Sequence, residues 1–584
     1  MKNIKIIGIL FILLFCNNTF AQNLSQNQIY KAYTKTYGYV RFFHPSDEVL
    51  NLKNNKFAYY GVQKLQNITT IQALKDSLTQ IFKPIAPSIK FYIKGENVSH
   101  QKIANPKDSL QLVFWQHRGL GHNNVYDQAQ EIYKSVRINT WKDTIFGQYP
   151  KYGELIETEI YPNLFCKIPL TLYKDKIGTL PRTNINTYNQ VKVSLETIIS
   201  DSLSGNDMML RMADVAIYWN ILKYFYPYFK EVGLDWDNEL DNLIADALIP
   251  QIDALFWKVL QKYSAKLQDA HTWVSFPKIA ENEGLLPFTA LWIDKKYLIT
   301  GSNSPTFKVG DEIISMGNKD IKQVYDNALQ YAGGSDYRKK TAFLYHLVSG
   351  RINTSKKITL KRNVKGKISI IDTVAIYSAD YVSAKPKPSR EIEKGIFYLN
   401  LTTDSLEYLK TFLPKLQKAK GIIIEMRGYP NGENIDFLGY LSPIHLQTAK
   451  WNVPQIIYPT NHIQYDTAGG WAIAPQQPQI SCKKVFLTNA SAQSYAETFM
   501  GIVEHYKLGE IIGQPTAGCN GNIMGFPLLG GYWFGFTGTK VLKHDGSQHH
   551  LIGIKPTILI TYSEKDILEG RDLEMVKALE MLKK

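Results

Sequence analysis

From residue 390 to the end, the chain carries short apolar runs that are poor candidates for helices. Gly421-Ile-Ile-Ile-Glu-Met426, Lys484-Val-Phe-Leu-Thr488 and Glu510-Ile-Ile-Gly513 are too short for ordinary helices and too apolar for half-exposed strands. They fit strands covered on both faces of a sheet. Between them, Leu406 to Lys418 and Ser494 to Tyr506 show helical spacing of apolar residues. Strands alternating with helices predict a mainly parallel, layered α/β domain over 390–584.

The rest of the 584 residues must form further units, because single cores stop growing at roughly 250–300 residues. A fold of multidomain α+β class is expected. Residues 1–21 read as a secretory signal: Lys2 and Lys5, the apolar run Ile6 to Cys16, then Ala21 at the cleavage position. That run is shorter than the roughly 20 residues a membrane span needs, so no integral span is expected. The protein is expected to be exported, periplasmic or secreted. Envelope attachment through a lipid on Cys16 is the lesser option, since bulky Phe15 precedes it.

Residues 22–205 read as a helical plus β module. The stretches Tyr39–Pro45 and Leu222–Phe229 echo one another, each aromatic-rich and broken by proline. Residues 206–280 read as helical, leading to Leu267-Gln-Asp-Ala-His271-Thr. Residues 281–385 change to short β segments around Lys308-Val-Gly-Asp-Glu-Ile-Ile-Ser-Met-Gly-Asn318, a pattern that resembles a PDZ domain. Such domains accept an extended peptide as an added strand.

The formal charge of +15 is spread along the chain. It fits a solvated lysine-rich surface, and no nucleic-acid module is present to suggest such a partner. Four widely spaced cysteines give neither a disulfide framework nor a CxxC pattern. HExxH, GxSxG and the Walker motif do not occur.

Two loops follow buried strands and can share one cleft beyond the strands' carboxyl ends. One opens a helix at Ser494-Tyr-Ala-Glu-Thr-Phe-Met500. Ser494 would profit from the positive end of the helix dipole, and the Tyr495 N–H can face a developing oxyanion. Against this, Ser-x-x-Glu is also a capping box, with Glu497 closing on Ser494. The other loop is Arg427-Gly-Tyr-Pro-Asn-Gly432. There Asn431 or Gly432 can offer a second N–H, and Pro430 cannot.

Taken in order, a PDZ-like module, R-G-x-P-x-G, T-N-x-S-A-x-S-x-A-E, Gly513-Gln-Pro-Thr516-Ala-Gly518 and Gly553-Ile-Lys-Pro556 resemble the C-terminal processing (tail-specific) serine proteases, in particular the tricorn-core-like branch. The resemblance covers roughly 260–584. It implies a ClpP/crotonase-like α/β catalytic domain, Ser494 as nucleophile, Tyr495 as oxyanion donor and a PDZ-like domain that gates or tethers substrate. Where many members have a basic lysine this chain has Cys519. The branch implies His271 as base instead, a role that suits a neutral imidazole. Where the branch has a carboxylate, this chain has His550. Asp269, Asp545 and Glu497 are the other candidates for the third member, and the sequence does not choose among them. A metal at His544, His549 and His550 is weighed and set aside, and no cofactor is implied. The expected partners are polypeptides, unfolded or C-terminal segments. The alternative is a catalytically inactive peptide-binding envelope protein of the same family.

Overall fold

The computed structural model describes residues 24–98, 110–121, 132–276, 283–379, 387–460 and 463–583. Residues 1–21, read from sequence as a secretory signal, lie outside the described residues. Among those described, no helix is long and apolar enough to cross a membrane.

The α/β unit is built on a six-stranded sheet in the order Arg390–Glu393, Ile396–Asn400, Gly421–Glu425, Lys483–Thr488, Glu510–Gly513, Ile558–Leu559. Only the first pair is antiparallel; the remaining neighbours run parallel. Ile396–Asn400 and Gly421–Glu425 are buried at every position. Their apolar runs thus reflect cover on both faces, as parallel sheets require.

The helical part has one large core. Its centre is the helix Met208–Phe225, buried nearly all round, which explains why its apolar residues form no single stripe. The two echoing stretches end alike. Gln26–Phe43 and Met208–Phe225 both stop at an extended residue followed by proline. Their last turns pack on one another, Phe43 edge-on to Tyr224 and Phe42 to Phe225.

Residues 288–376 form a six-stranded antiparallel sheet, five strands in a row with Lys319–Asp320 pairing beside Glu312–Met316, together with helices Ile321–Leu329 and Asp336–Val348, and this unit has its own core.

Strands of the N-terminal β module pair with strands from the last third of the chain. Gln111–Arg118 pairs with Trp451–Ile456 in a seven-stranded sheet that also holds Lys134–Ile138, Thr171–Lys174, Gln464–Ala468 and Lys540–Val541. A further sheet joins Trp273–Ser275 to Trp533–Thr537 and Ile523–Pro527. In both sheets, strands hundreds of residues apart in sequence pair with one another.

Candidate active site

Ser494 ends the turn between Lys483–Thr488 and the helix Tyr495–Tyr506. Asn489 shapes that turn by accepting from the Ser491 N–H at 2.9 Å. Ser494 itself has φ 59° and ψ −117°. That conformation suits glycine, and a side chain there costs on the order of 1–3 kcal/mol. Its N–H donates to the Cys519 carbonyl at 2.9 Å, and its side chain makes no capping hydrogen bond.

The capping box suggested by Ser-x-x-Glu therefore does not form. Glu497 turns instead to the loop 516–519. Its buried carboxylate accepts from the Thr516 hydroxyl at 2.5 Å and from the N–H groups of Gly518 and Cys519 at 2.7 Å each. His549 Nε2 lies 3.3 Å away. Burial pushes the Glu497 carboxyl up, but His549 and these donors outweigh it and hold the group below its ordinary value. Glu497 is thus the anchor of the loop that receives the Ser494 N–H.

His271 follows the helix Asp253–Lys266. Asp269 fixes the turn, accepting from the His271 N–H at 2.9 Å. Its oxygens also accept from the Thr537 N–H at 2.8 Å, the Thr537 hydroxyl at 2.9 Å and the Cys519 thiol at 3.2 Å. His271 Nδ1 lies 2.9 Å from Thr537 Oγ1, and Nε2 is buried without a hydrogen-bond partner. Burial lowers the His271 pKa, and Arg338 adds to this against the opposing charges of Asp269 and Glu497. The ring is therefore neutral at pH 7, the form a base needs.

The two turns are tied together. Gln493, just before Ser494, donates to the carbonyl of Ala270, just before His271, at 3.2 Å. Cys519 touches both, through its carbonyl to Ser494 and with its sulfur within 4.8 Å of His271 and Asp269 ligand atoms. Ser494 and His271 are not themselves hydrogen-bonded. Burial, then the charges of Asp269 and Glu497, push the Cys519 thiol well above its ordinary value. A protonated thiol cannot take the place of a basic lysine.

The loop 427–432 lies against the same helix start. Tyr495 Oη donates to the Gly432 carbonyl at 2.6 Å and accepts from the Ile435 N–H at 3.1 Å. Burial raises this phenol to about 12, so it stays a donor. The Asn431 N–H is committed to the Leu401 carbonyl at 3.2 Å, which removes it as an oxyanion donor and leaves Gly432 of that pair. The Tyr495 N–H is the first of its helix and has no intrahelical acceptor.

Of the candidates for the third member, Asp269 alone is joined to His271 by hydrogen bonds through one intermediate side chain. His550 stacks on Tyr228 with centroids 4.0 Å apart, and burial lowers its pKa to about 4, so it stays neutral. Asp545 sits in an exposed hairpin turn, bonded to Ser547. Glu497 is spent on the 516–519 loop. No local pattern singled out Thr537, one threonine in the strand Trp533–Thr537.

Residues 395–560 match the family described as peptidase family S41. Among solved structures, mature CPAF aligns with 64% of this chain and 96% of its own, at 14% identity and a TM-score of 0.52. Its complex with lactacystin covers 64% and 98%, at 14% identity and a TM-score of 0.53. The tricorn protease also matches, over 64% of this chain and 36% of its own, at 14% identity and a TM-score of 0.35. No curated protein matches the chain. At these identities the CPAF likeness speaks for a shared fold.

Proposed function

We propose that this chain, whose residues 395–560 match peptidase family S41, is a serine-type peptidase, an exported endopeptidase acting through an acyl-enzyme. Ser494 is the nucleophile. His271 Nε2 takes its proton, and the alkoxide attacks a peptide carbonyl. The N–H groups of Tyr495 and Gly432 hold the oxyanion, and water releases the acyl group. The observation that carries this reading is the backbone of Ser494, strained at a strand-to-helix turn with its hydroxyl uncommitted to a cap. Strain of this kind presents a nucleophile clear of its own helix. Catalytic hydrogen bonds often tighten only when substrate binds, which accommodates the unbonded His271 Nε2.

The unit at 288–376 is read as PDZ-like. Phe288–Ile293 is an open edge of its sheet, able to take a substrate segment as an added strand. Its helix Asp336–Val348 reaches the site: Ser335 donates to the Ala517 carbonyl at 2.8 Å, and Arg338 acts on His271. Tyr429 and Trp471 flank Tyr495 at 6.0 and 5.8 Å, giving a substrate chain an aromatic wall.

A fluorophosphonate probe is expected to label Ser494 in the folded protein, located by mass spectrometry. The missing Ser494–His271 hydrogen bond favours a second reading, an inactive peptide-binding scaffold. An unlabelled Ser494 would establish that reading and end the first.

Tyr495→Phe removes the clamp on the 432–435 turn and keeps the ring. We expect kcat/KM to fall about 10-fold, less than the roughly 10²–10³ typical of deleting an oxyanion donor outright. The melting temperature should barely move. Unchanged turnover of a peptide substrate would show that the clamp does not set the geometry.

A further inference from the structure

We infer that Thr537 is a positioning residue which carries the charge of Asp269 to the base His271 and fixes the ring with its proton on Nδ1. The inference rests on the peptidase reading above and deepens it. A threonine hydroxyl has one proton and two acceptor sites. Thr537 gives that proton to Asp269, 2.9 Å away, and an ionised carboxylate can only accept. The 2.9 Å contact between Thr537 Oγ1 and His271 Nδ1 must then be a bond that Nδ1–H donates. The proton count leaves Nε2 as the unprotonated nitrogen, and Nε2 is the buried atom with no partner. The network thus selects the tautomer that can accept a proton from a serine.

The same chain of bonds works after that transfer. The imidazolium would keep its Nδ1–H on Thr537, whose hydroxyl is polarised by the anion behind it. A serial arrangement of this kind strengthens each bond. Asp269 is suited to the task because its charge is held by donors from three segments: the His271 N–H, the Thr537 N–H and hydroxyl, and the Cys519 thiol. All three of Asp269, His271 and Thr537 are buried, so little water competes. Glu497 and Arg338 also act on the ring, with opposite signs, and the protonated Cys519 sulfur lies beside it. His550 acts on Asp269. None of these is hydrogen-bonded to the ring.

The pairing of Trp533–Thr537 with Trp273–Ser275 explains how two residues so distant in sequence meet. Gly535 stands opposite Trp273, which carries the strand's last residue, Thr537, alongside the turn at His271. Just past that ladder the Thr537 N–H donates to the Asp269 carboxylate at 2.8 Å.

The test compares Thr537→Val, Thr537→Ser and Asp269→Asn in the full chain, with kcat, KM and the pH profile of kcat/KM for a peptide substrate. Thr537→Val should lower kcat at least 10-fold with KM nearly unchanged, and move the acid limb to lower pH, because the imidazolium loses the charge that favours it. Thr537→Ser should restore both within about 3-fold. Asp269→Asn should reproduce the valine phenotype. A valine variant with wild-type kcat and acid limb overturns the inference, and so does a serine variant as impaired as valine. If Thr537→Val fails to fold, Asp269→Asn decides: a wild-type acid limb overturns the inference, a lowered one supports it. Ser494→Ala and His271→Ala measured alongside separate the two levels. Activity surviving in those variants sinks the peptidase reading itself. Their loss, with Thr537→Val unaffected, sinks only the relay.

Discussion

Ser494→Ala is expected to abolish cleavage of an unfolded protein, by at least about 10⁴-fold, while the chain keeps its fold. The size follows from the chemistry: without the hydroxyl no acyl-enzyme forms, and only oxyanion binding remains to speed attack by water. Folding should survive because the Ser494 side chain caps nothing, and its backbone bond to Cys519 does not need the hydroxyl. Ser494→Gly adds a sharper test. It is equally inactive, but it relieves a backbone at φ 59° and ψ −117°. The relief, about 1–3 kcal/mol, should exceed the roughly 0.5–1 kcal/mol that glycine costs in chain entropy. The glycine variant should therefore unfold at higher denaturant than the alanine variant. The reverse order would mean that the turn is not strained, and the main support for the nucleophile assignment would go.

The second large effect is on stability. Glu497→Ala leaves the Gly518 and Cys519 N–H groups and the Thr516 hydroxyl without their acceptor, all of them buried. Breaking one partner out of a buried charged network costs about 3–5 kcal/mol, to be read from denaturant unfolding of the catalytic unit by a local probe. The effect should depend on pH in a defined sense. The folded Glu497 carboxyl is held below its ordinary value, so its contribution is complete above the unfolded value of about 4.3 and fades as pH falls through the folded one. Asp269 is lowered in the same way, its burial outweighed by His271, His550 and two backbone donors. Wild type should lose stability in acid more steeply than Glu497→Ala. Parallel acid arms would show that Glu497 is not the charged anchor.

The sequence exposed different parts of the molecule unequally. The buried strands were legible because complete cover leaves an unbroken apolar run, and Gly421–Glu425 is buried throughout. Ser494 was legible as a serine at a helix start, yet the local pattern there misleads. Ser-x-x-Glu describes a cap by spacing alone, and the spacing cannot register that Gly518, Cys519 and Thr516 compete for Glu497. Asn431 and Gly432 were equivalent until the Leu401 carbonyl claimed one of them. Thr537 carried no signal, because its role exists only through a strand pairing that spans more than 250 residues, with hydrogen bonds between residues 266 and 268 positions apart. The sheet shared by Gln111–Arg118 and Trp451–Ile456 was hidden for the same reason. Periodicity reports which face a strand buries and is silent about which neighbour it joins.

That long-range pairing bears on how the protein is made. A ribosome delivers Ser494 before the strand Trp533–Thr537, and that strand seats the segment bearing His271. A chain still in synthesis therefore holds a serine and a histidine that have not yet been brought into register. The first strand of the shared sheet waits longer still, through more than three hundred residues, for Trp451–Ile456 to arrive. On the peptidase reading proposed above, Ser494 and His271 therefore form a working pair only after the strand pairings that complete the fold.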